Sequence, residues 1–536
     1  MLPAQVIPAG FPVLEERTRF AQLSSDSVGP SFMIRPNIDY PDSVAKESIK
    51  IGKGEIGFTV LPSLSTIRIT TNRPYGFGDY GMIPTPGAQF YLAGGVHYQW
   101  KELGVTFYPD LVFAQNASFS GFQGYRNASL TGERFLYWNT GDNPERFGDK
   151  PYFRLGLGQS KISYGFRSFE VSISNQNIWW GPGQFNSLNF SNAAPGFPHF
   201  SINTRKPAKT FLGNFELQMI NGIFKTERIP PTQSDSLNAR YYDPIREKNR
   251  YINAFTLTYN PVWAKGLYFG ASRTVQTFTD SVGTSFIDIF PVFWGLTKQS
   301  VGSDLVGQSD KGRSQQISIF GRYVHQPSRF ELYFEFGKRD HALNWREFIL
   351  NPEHARAYLF GFTKLIRIEE LESDFLIRAE ITHQQESVNR YIRYNYGFIT
   401  GGFSWGMNGA IGGITHHAQP IGVGIGTGSN IQTLEISKID GLNKAGIFFE
   451  RLENTVDYYY KVRLHDTERK PWVDLSVGFL YDKQLGNLLL ISKLQLIHAR
   501  NYQWQLDPSS TPDFPKGKNL TSVMGQASII YFWNKD

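Results

Sequence analysis

Ten histidines are the first residues to test for metal or acid–base chemistry. None stands in a His-Glu-x-x-His or comparable set. His416 and His417 are adjacent, so in a strand they point to opposite faces and cannot chelate one ion together. No metal site is expected. With no cysteine in 536 residues, a thiolate ligand, a cysteine nucleophile, a disulfide scaffold and a lipoprotein anchor are excluded. Neither a Gly-x-Ser-x-Gly elbow nor a Gly-x-x-x-x-Gly-Lys-Ser/Thr loop occurs. The run Gly422, Gly424, Gly426, Gly428 would need a following helix to cradle a dinucleotide. Asn430 to Lys438 alternates like a strand instead, so no cofactor is expected. Glu331, Glu335 and Glu380 have the chemistry of a glycosidase carboxylate pair. They line several strands rather than one pocket, however, and read as the polar face of a sheet. No enzyme is expected.

What is left is the chemistry of binding. Sugar faces stack on flat aromatic rings, and their hydroxyls and carboxylates take polar or cationic groups. Three connecting segments combine the two: Trp294 with Lys298, Trp345 with Arg346, and Tyr502 and Trp504 with Lys516 and Lys518. These are the candidate polysaccharide-binding residues. The net charge of +7 is spread thinly over the chain, with no run of five or six Lys/Arg, so nucleic acid is not an expected partner. Lipid phosphates or an acidic polysaccharide suit the slight excess.

The elements that must carry these residues are strands. Aromatics reach 15% of the chain, with 43 Phe and 27 Tyr, and aromatic side chains favour strands. The mean hydropathy is −0.32 and the longest purely apolar run, Ile529 to Trp533, is far short of the ~20 residues of a membrane helix. A membrane β-barrel is apolar only at every second residue and passes this test. Ile317, Ile319, Gly321 and Tyr323 alternate with Ser318, Phe320 and Arg322. Phe330, Leu332, Phe334 and Phe336 alternate with Glu331, Tyr333 and Glu335. Phe375 to Thr382, Val473 to Tyr481 and Val523 to Trp533 repeat the pattern. These strands run to about ten residues, where a globular strand averages ~5–6, and charges such as Arg322, Arg378 and Glu335 share the polar face, as in a lumen.

Strands are read near 92–101, 104–113, 152–159, 163–174, 211–221, 250–260, 266–278, 316–324, 329–337, 356–366, 375–386, 393–406, 410–418, 429–439, 446–462, 472–481, 488–500 and 522–533. The fold expected is therefore all-β, a transmembrane antiparallel barrel of about 18 strands. Short and long connections alternate through the C-terminal half, as periplasmic turns and outer loops do; the link at 387–392 is too short for its place. Residues 1–90 are expected to form an N-terminal periplasmic or plug segment, with a short helix over Leu14 to Leu23, and 91–536 the barrel. Strand parity puts two long inserts, 114–151 and 175–210, on the periplasmic side. In the hairpin at His325-Gln326-Pro327-Ser328, a two-residue turn at Gln326-Pro327 would set Arg322 opposite Glu331. Met1-Leu2-Pro3-Ala4-Gln5 lacks a secretory signal while a barrel requires export, so a mature sequence without its signal peptide is expected.

One stretch is distinctive. Trp179-Trp180-Gly181-Pro182-Gly183 is followed by Ser191-Asn192-Ala193-Ala194-Pro195, Phe197-Pro198 and Thr204-Arg205-Lys206-Pro207. In that order the pieces resemble the capsule assembly protein Wzi family of outer-membrane barrels. The resemblance implies an 18-stranded barrel with periplasmic helices and a lectin-like role in holding capsular or other surface polysaccharide on the cell, in the outer membrane. Outer-membrane lipid or lipopolysaccharide, and other outer-membrane proteins, are the further partners expected. The alternative is a channel or an accessory barrel of a secretion or uptake complex. Trp179 to Gly183 read as structural, a sharp turn packed on aromatic faces.

Overall fold

A computed structural model describes residues 11–24, 31, 33–35, 50–51, 56–244, 248–297, 312–339, 341–342, 344–387, 404–409 and 411–533. Its antiparallel strands close into an 18-stranded barrel, sealed where Leu520–Tyr531 pairs with Ile56–Thr70 (Met524 opposite Thr70, Tyr531 opposite Ser63). Alternation sets the faces as expected. Ile319, Phe334, Ile381, Phe479 and Ile529 point outward and are exposed, while Arg322, Glu331, Glu335, Arg378 and Glu380 point inward and are buried. An outward charge in mid-membrane would cost ~2–4 kcal/mol, which accounts for the sorting.

Among the described residues, the tight turns lie at one end of the barrel and the long connections at the other. The tight end includes 101–102, 262–266, 369–372, 441–442 and 486–487; the other end carries 71–86, 115–151, 175–198, 225–249, 454–472 and 501–519. This corrects the side assigned to 115–151 and 175–198, which join the other long loops. The cause is two strands missed in the sequence. Ile56–Thr70 carries Pro62 beside a register shift between Leu61 and Leu64, and a proline inside a run reads as a break. His199–Thr204 is only 6 residues long. Missing the first inverts the parity of everything after it until the second restores it. Because Ile56–Thr70 belongs to the barrel, the expected boundary at residue 90 also falls.

Two expected strands are not in the barrel. Ser373–His383 pairs directly with Asn430–Asp440, so no strand stands between them. Residues 393–403 lie outside the described residues. Met407–Asn408 pairs only with Gly412–Gly413, and Thr415–His416 only with Gln419–Pro420. These short bridges are buried. The count of 18 thus survives two omissions and two additions.

The hairpin at 325–330 keeps its faces but not its expected register. His325 stands opposite Phe330 and Arg322 opposite Tyr333, two residues from the expected pairing. A two-residue hairpin turn needs positive φ at its first central residue, and the proline of Gln326-Pro327 would occupy the second at φ ≈ −65°. The chain takes a wider turn, a 3-10 turn over Gln326–Ser328 closed by Arg329 at φ 49°. Arg322 still reaches Glu331 diagonally at 2.7 Å.

The core lies inside the barrel. Pro12–Gln22 forms a helix with Pro at its first turn, where the missing N–H costs nothing, and it occupies the lumen at the tight-turn end. There Arg17 Nε donates to the Gly441 carbonyl (2.8 Å), Arg19 Nε to Glu331 (2.9 Å) and Lys444 Nζ to Glu16 (3.1 Å). Ile34–Arg35 pairs with Trp179–Trp180, and Trp180, Phe190 and Phe197 pack against the inward residues Ile220, Phe224 and Ile252.

Candidate functional site

The Trp179–Gly183 stretch is held in the lumen by two inward carboxylates. Glu380 accepts the N–H groups of Gln184, Phe185 and Asn186 at 2.7, 3.1 and 2.8 Å, and the Tyr333 hydroxyl at 3.0 Å. Glu335 accepts Gly183 N–H (3.3 Å) and Leu188 N–H (3.0 Å). Gly181, at φ 90°, has no side chain to meet Glu335. Trp180 Nε1 donates to Gln218 Oε1 at 2.7 Å, and the Arg35 guanidinium lies 4.3 Å over the Trp179 ring. Both tryptophans are buried and reach no open surface.

An open cavity lies instead at the long-loop end, with about 960 Å³ of space including its mouth. Its aromatic wall includes Tyr75, Trp138, Trp472 and Tyr502 beside three phenylalanines, and its charged groups are Arg73, Arg134, Glu145 and Asp474. Trp138 and Arg134 come from the helix Ala128–Gly141. Asn127 starts that helix by accepting from Ser129 N–H (2.9 Å) and Leu130 N–H (3.3 Å), the ordinary N-cap arrangement. Thr131, Arg134, Phe135 and Trp138 are spaced three and four apart on its buried face. Trp472 meets Tyr502 edge-on at 5.2 Å and Trp504 at 5.6 Å.

The charges are unevenly satisfied. Arg73 pairs with Asp474 at 2.8 Å, and Asp474 also accepts from Trp472 Nε1 (3.0 Å) and Asn454 Nδ2 (3.1 Å). Glu145 accepts from Phe122 N–H (3.0 Å), Gln503 Nε2 (2.9 Å) and Gln233 N–H (3.3 Å); burial pushes its carboxyl up despite these donors. Arg134 is 7% exposed and sits among rings, 4.0 Å from Trp138, 4.9 Å from Tyr458 and 5.1 Å from Trp504. Burial holds its guanidinium below the usual range.

The sequence candidates scatter over this structure. Tyr502 lines the cavity but is itself buried, 2% exposed, and Trp504 lies behind it at 1%. Trp294 lies away from the cavity. Its carbonyl accepts from Arg273 (2.5 Å) and its ring lies 4.8 Å from the Arg313 guanidinium. Lys298 lies outside the described residues. Trp345, 56% exposed, packs edge-on against Phe348 on the short helix Trp345–Leu350, with Arg346 exposed beside it; neither lines the cavity. Lys518 Nζ donates to Ser120 and Gln505. Sequence reasoning missed Trp138, Arg134 and Trp472. The available signal was an arginine grouped with Phe135 and Trp138 on one face of a helix.

The sequence profile of the capsule assembly protein Wzi matches residues 70–407, more than half of the chain. The chain belongs to the Wzi family. This Wzi-family chain is a β-barrel of the outer-membrane type, and its fold is that of a solved relative. The structure described as Wzi, an outer membrane protein involved in group 1 capsule assembly in Escherichia coli and a carbohydrate-binding β-barrel, aligns over 98% of both chains with a TM-score of 0.57 and 11% identity. Two other barrels align less well: OccK7 (OpdD) of Pseudomonas aeruginosa (10% identity, 89% of this chain and 99% of that one, TM-score 0.40) and OccAB2 of Acinetobacter baumannii (10% identity, 89% and 98%, TM-score 0.39). No curated protein sequence matches this chain.

Proposed function

We propose that this Wzi-family barrel holds surface polysaccharide at the long-loop cavity, with that end turned away from the cell. The observation that carries the reading is the cavity itself: seven aromatic rings, two carboxylates and two guanidinium groups meet at the end that bears the long loops. Rings supply stacking surface and the polar groups fix orientation. The carbohydrate binding described for the E. coli Wzi barrel points the same way. The tight-turn end, with the helix Pro12–Gln22, then faces the periplasm, and the outward apolar belt meets outer-membrane lipid.

Binding, not catalysis, is the role we assign. The inward carboxylates that resemble a glycosidase pair are occupied. Glu335 and Glu380 hold backbone N–H groups of the lumen segment, and Glu331 pairs with Arg19 and Arg322 at 2.9 and 2.7 Å. The test is binding of the cell's own purified surface polysaccharide to the detergent-solubilised full chain. Trp472→Ala with Tyr502→Ala should weaken it by about tenfold or more, since base–aromatic stacking, the nearest measured analogue, is worth ~1–3 kcal/mol per ring. Undiminished binding in a double variant that still shows heat-modifiable migration would remove the cavity from the function.

A further inference from the structure

Two guanidiniums of the cavity have unpartnered nitrogens; Arg73 is held by its ion pair with Asp474, which leaves Arg134. Its guanidinium carries five N–H donors. Among the described residues it makes no hydrogen bond and no ion pair, and its Nε is buried without a partner. Ring faces attract a cation but accept none of its in-plane donors in the way an oxygen does. The anions within reach are already engaged: Asp474 is paired with Arg73 and takes two further donors, while Glu145 takes two backbone N–H groups and Gln503. A buried charge without a hydrogen-bonded counter-ion is costly. Glu145 attracts Arg134 through its charge without a hydrogen bond, and Arg134 lines the cavity together with Trp138, Trp472 and Tyr502 while its Nε donor stays unpaired.

We infer that the cavity takes an acidic sugar, a uronic acid unit whose planar carboxylate pairs with the Arg134 guanidinium while its ring lies among Trp472 and Tyr502. A carboxylate matches the guanidinium fork through two parallel hydrogen bonds, and the aromatic walls exclude the water that would otherwise screen the pair. The inference rests on the polysaccharide reading above and narrows it to one class of unit. Arg134 becomes the specificity-determining residue, because a neutral sugar offers its donors only hydroxyl oxygens, without the charge and the fork of a carboxylate.

The experiment compares two ligands on the detergent-solubilised full chain. One is the cell's own surface polysaccharide. The other is the same polymer with its uronic carboxyls chemically reduced to hydroxymethyl groups. Each is titrated against the wild-type chain, Arg134→Gln and Arg134→Lys, and folding is checked by heat-modifiable migration. Reduction of the polymer and Arg134→Gln should each weaken binding by about tenfold or more, the scale of a charge-assisted pair. Together they should do little more than either alone. Arg134→Lys keeps the charge without the fork and should fall between. Equal binding of native and reduced polymer by the wild-type chain, or native binding undiminished in folded Arg134→Gln, would overturn the acidic-sugar inference and leave the polysaccharide reading standing. No binding of either polymer to the folded wild-type chain would sink both.

Discussion

Replacing Glu380 by alanine should unseat the lumen segment without dissolving the barrel. The Glu380 carboxylate is the acceptor for three consecutive backbone N–H groups, those of Gln184, Phe185 and Asn186, and for the Tyr333 hydroxyl. Glu380 itself is 2% exposed. Alanine leaves these buried donors without an acceptor, and each orphan costs ~1–3 kcal/mol. A water entering the vacated space takes about two of the four bonds, so about two orphans remain and a net loss of about 2–6 kcal/mol is expected. The strand ladder on both sides of Glu380 is untouched, because its backbone pairs with Gly361 and Thr433 are independent of the side chain. At ~1.4 kcal/mol per decade, the released state of the segment rises by a factor of ~30–20,000. Single-channel recording in planar bilayers reads this directly. The wild-type chain should be closed and Glu380→Ala should open intermittently, while both keep the same heat-modifiable migration. Closed Glu380→Ala channels of wild-type thermal stability would refute the idea that this carboxylate seats the segment.

Three further outcomes are expected. His416 is buried, outside the spanning strands, and burial holds its imidazole well below the usual value, with His417, Arg250, Arg154 and Lys225 adding positive field. Its folded value lies below its unfolded one, so its stability contribution is full above pH ~6.5 and is lost as the pH falls below that, at up to ~1.4 kcal/mol per pH unit. Melting midpoints should drop between pH 7 and 5 in the wild type and less in His416→Gln, and parallel drops would dismiss the histidine. At Gly78 the backbone has φ 71° and an added Cβ would run into the Ala193 carbonyl, so Gly78→Ala should lower thermal stability by ~1–3 kcal/mol; a neutral substitution would mean that the Arg73–Asp79 segment does not pack on Ala193. Trp345→Ala with Arg346→Ala should leave polysaccharide titration within about twofold, because both residues are absent from the cavity lining; a tenfold loss would move the site to that loop.

The parts of this fold legible in the sequence are those that obey one strong rule. Long strands with apolar residues on alternate positions, such as Phe330–Arg339 or Ser373–His383, were readable because a lipid face tolerates no charge. Faces survived even where register did not. Arg322 faces the lumen whichever residue stands opposite it, since a shift of two keeps parity and the reach of an arginine spans the diagonal to Glu331. Strands failed where the rule was diluted, by Pro62 in Ile56–Thr70 and by brevity in His199–Thr204. Residues 404–420 misled in the opposite sense, because small and apolar residues that fill a lumen alternate as readily as residues that face lipid. The short link expected at 387–392 was the visible symptom. The site was only partly legible. Tyr502 could be found as an aromatic near lysines in a loop, but its partners Trp138, Arg134, Trp472 and Asp474 come from distant parts of the chain, and only closure of the barrel brings them to one rim.

Retention of polysaccharide through the long-loop cavity can be read in cells. A deletion strain is complemented with the wild-type chain or with Trp472→Ala/Tyr502→Ala, and polysaccharide is assayed separately on cells and in the medium. Total polymer should be unchanged, with the cell-bound share lost to the medium in the deletion strain and in the double variant, and restored by the wild type. A fall in total polymer with none released, or full retention by the double variant at normal protein level, would contradict retention through the cavity.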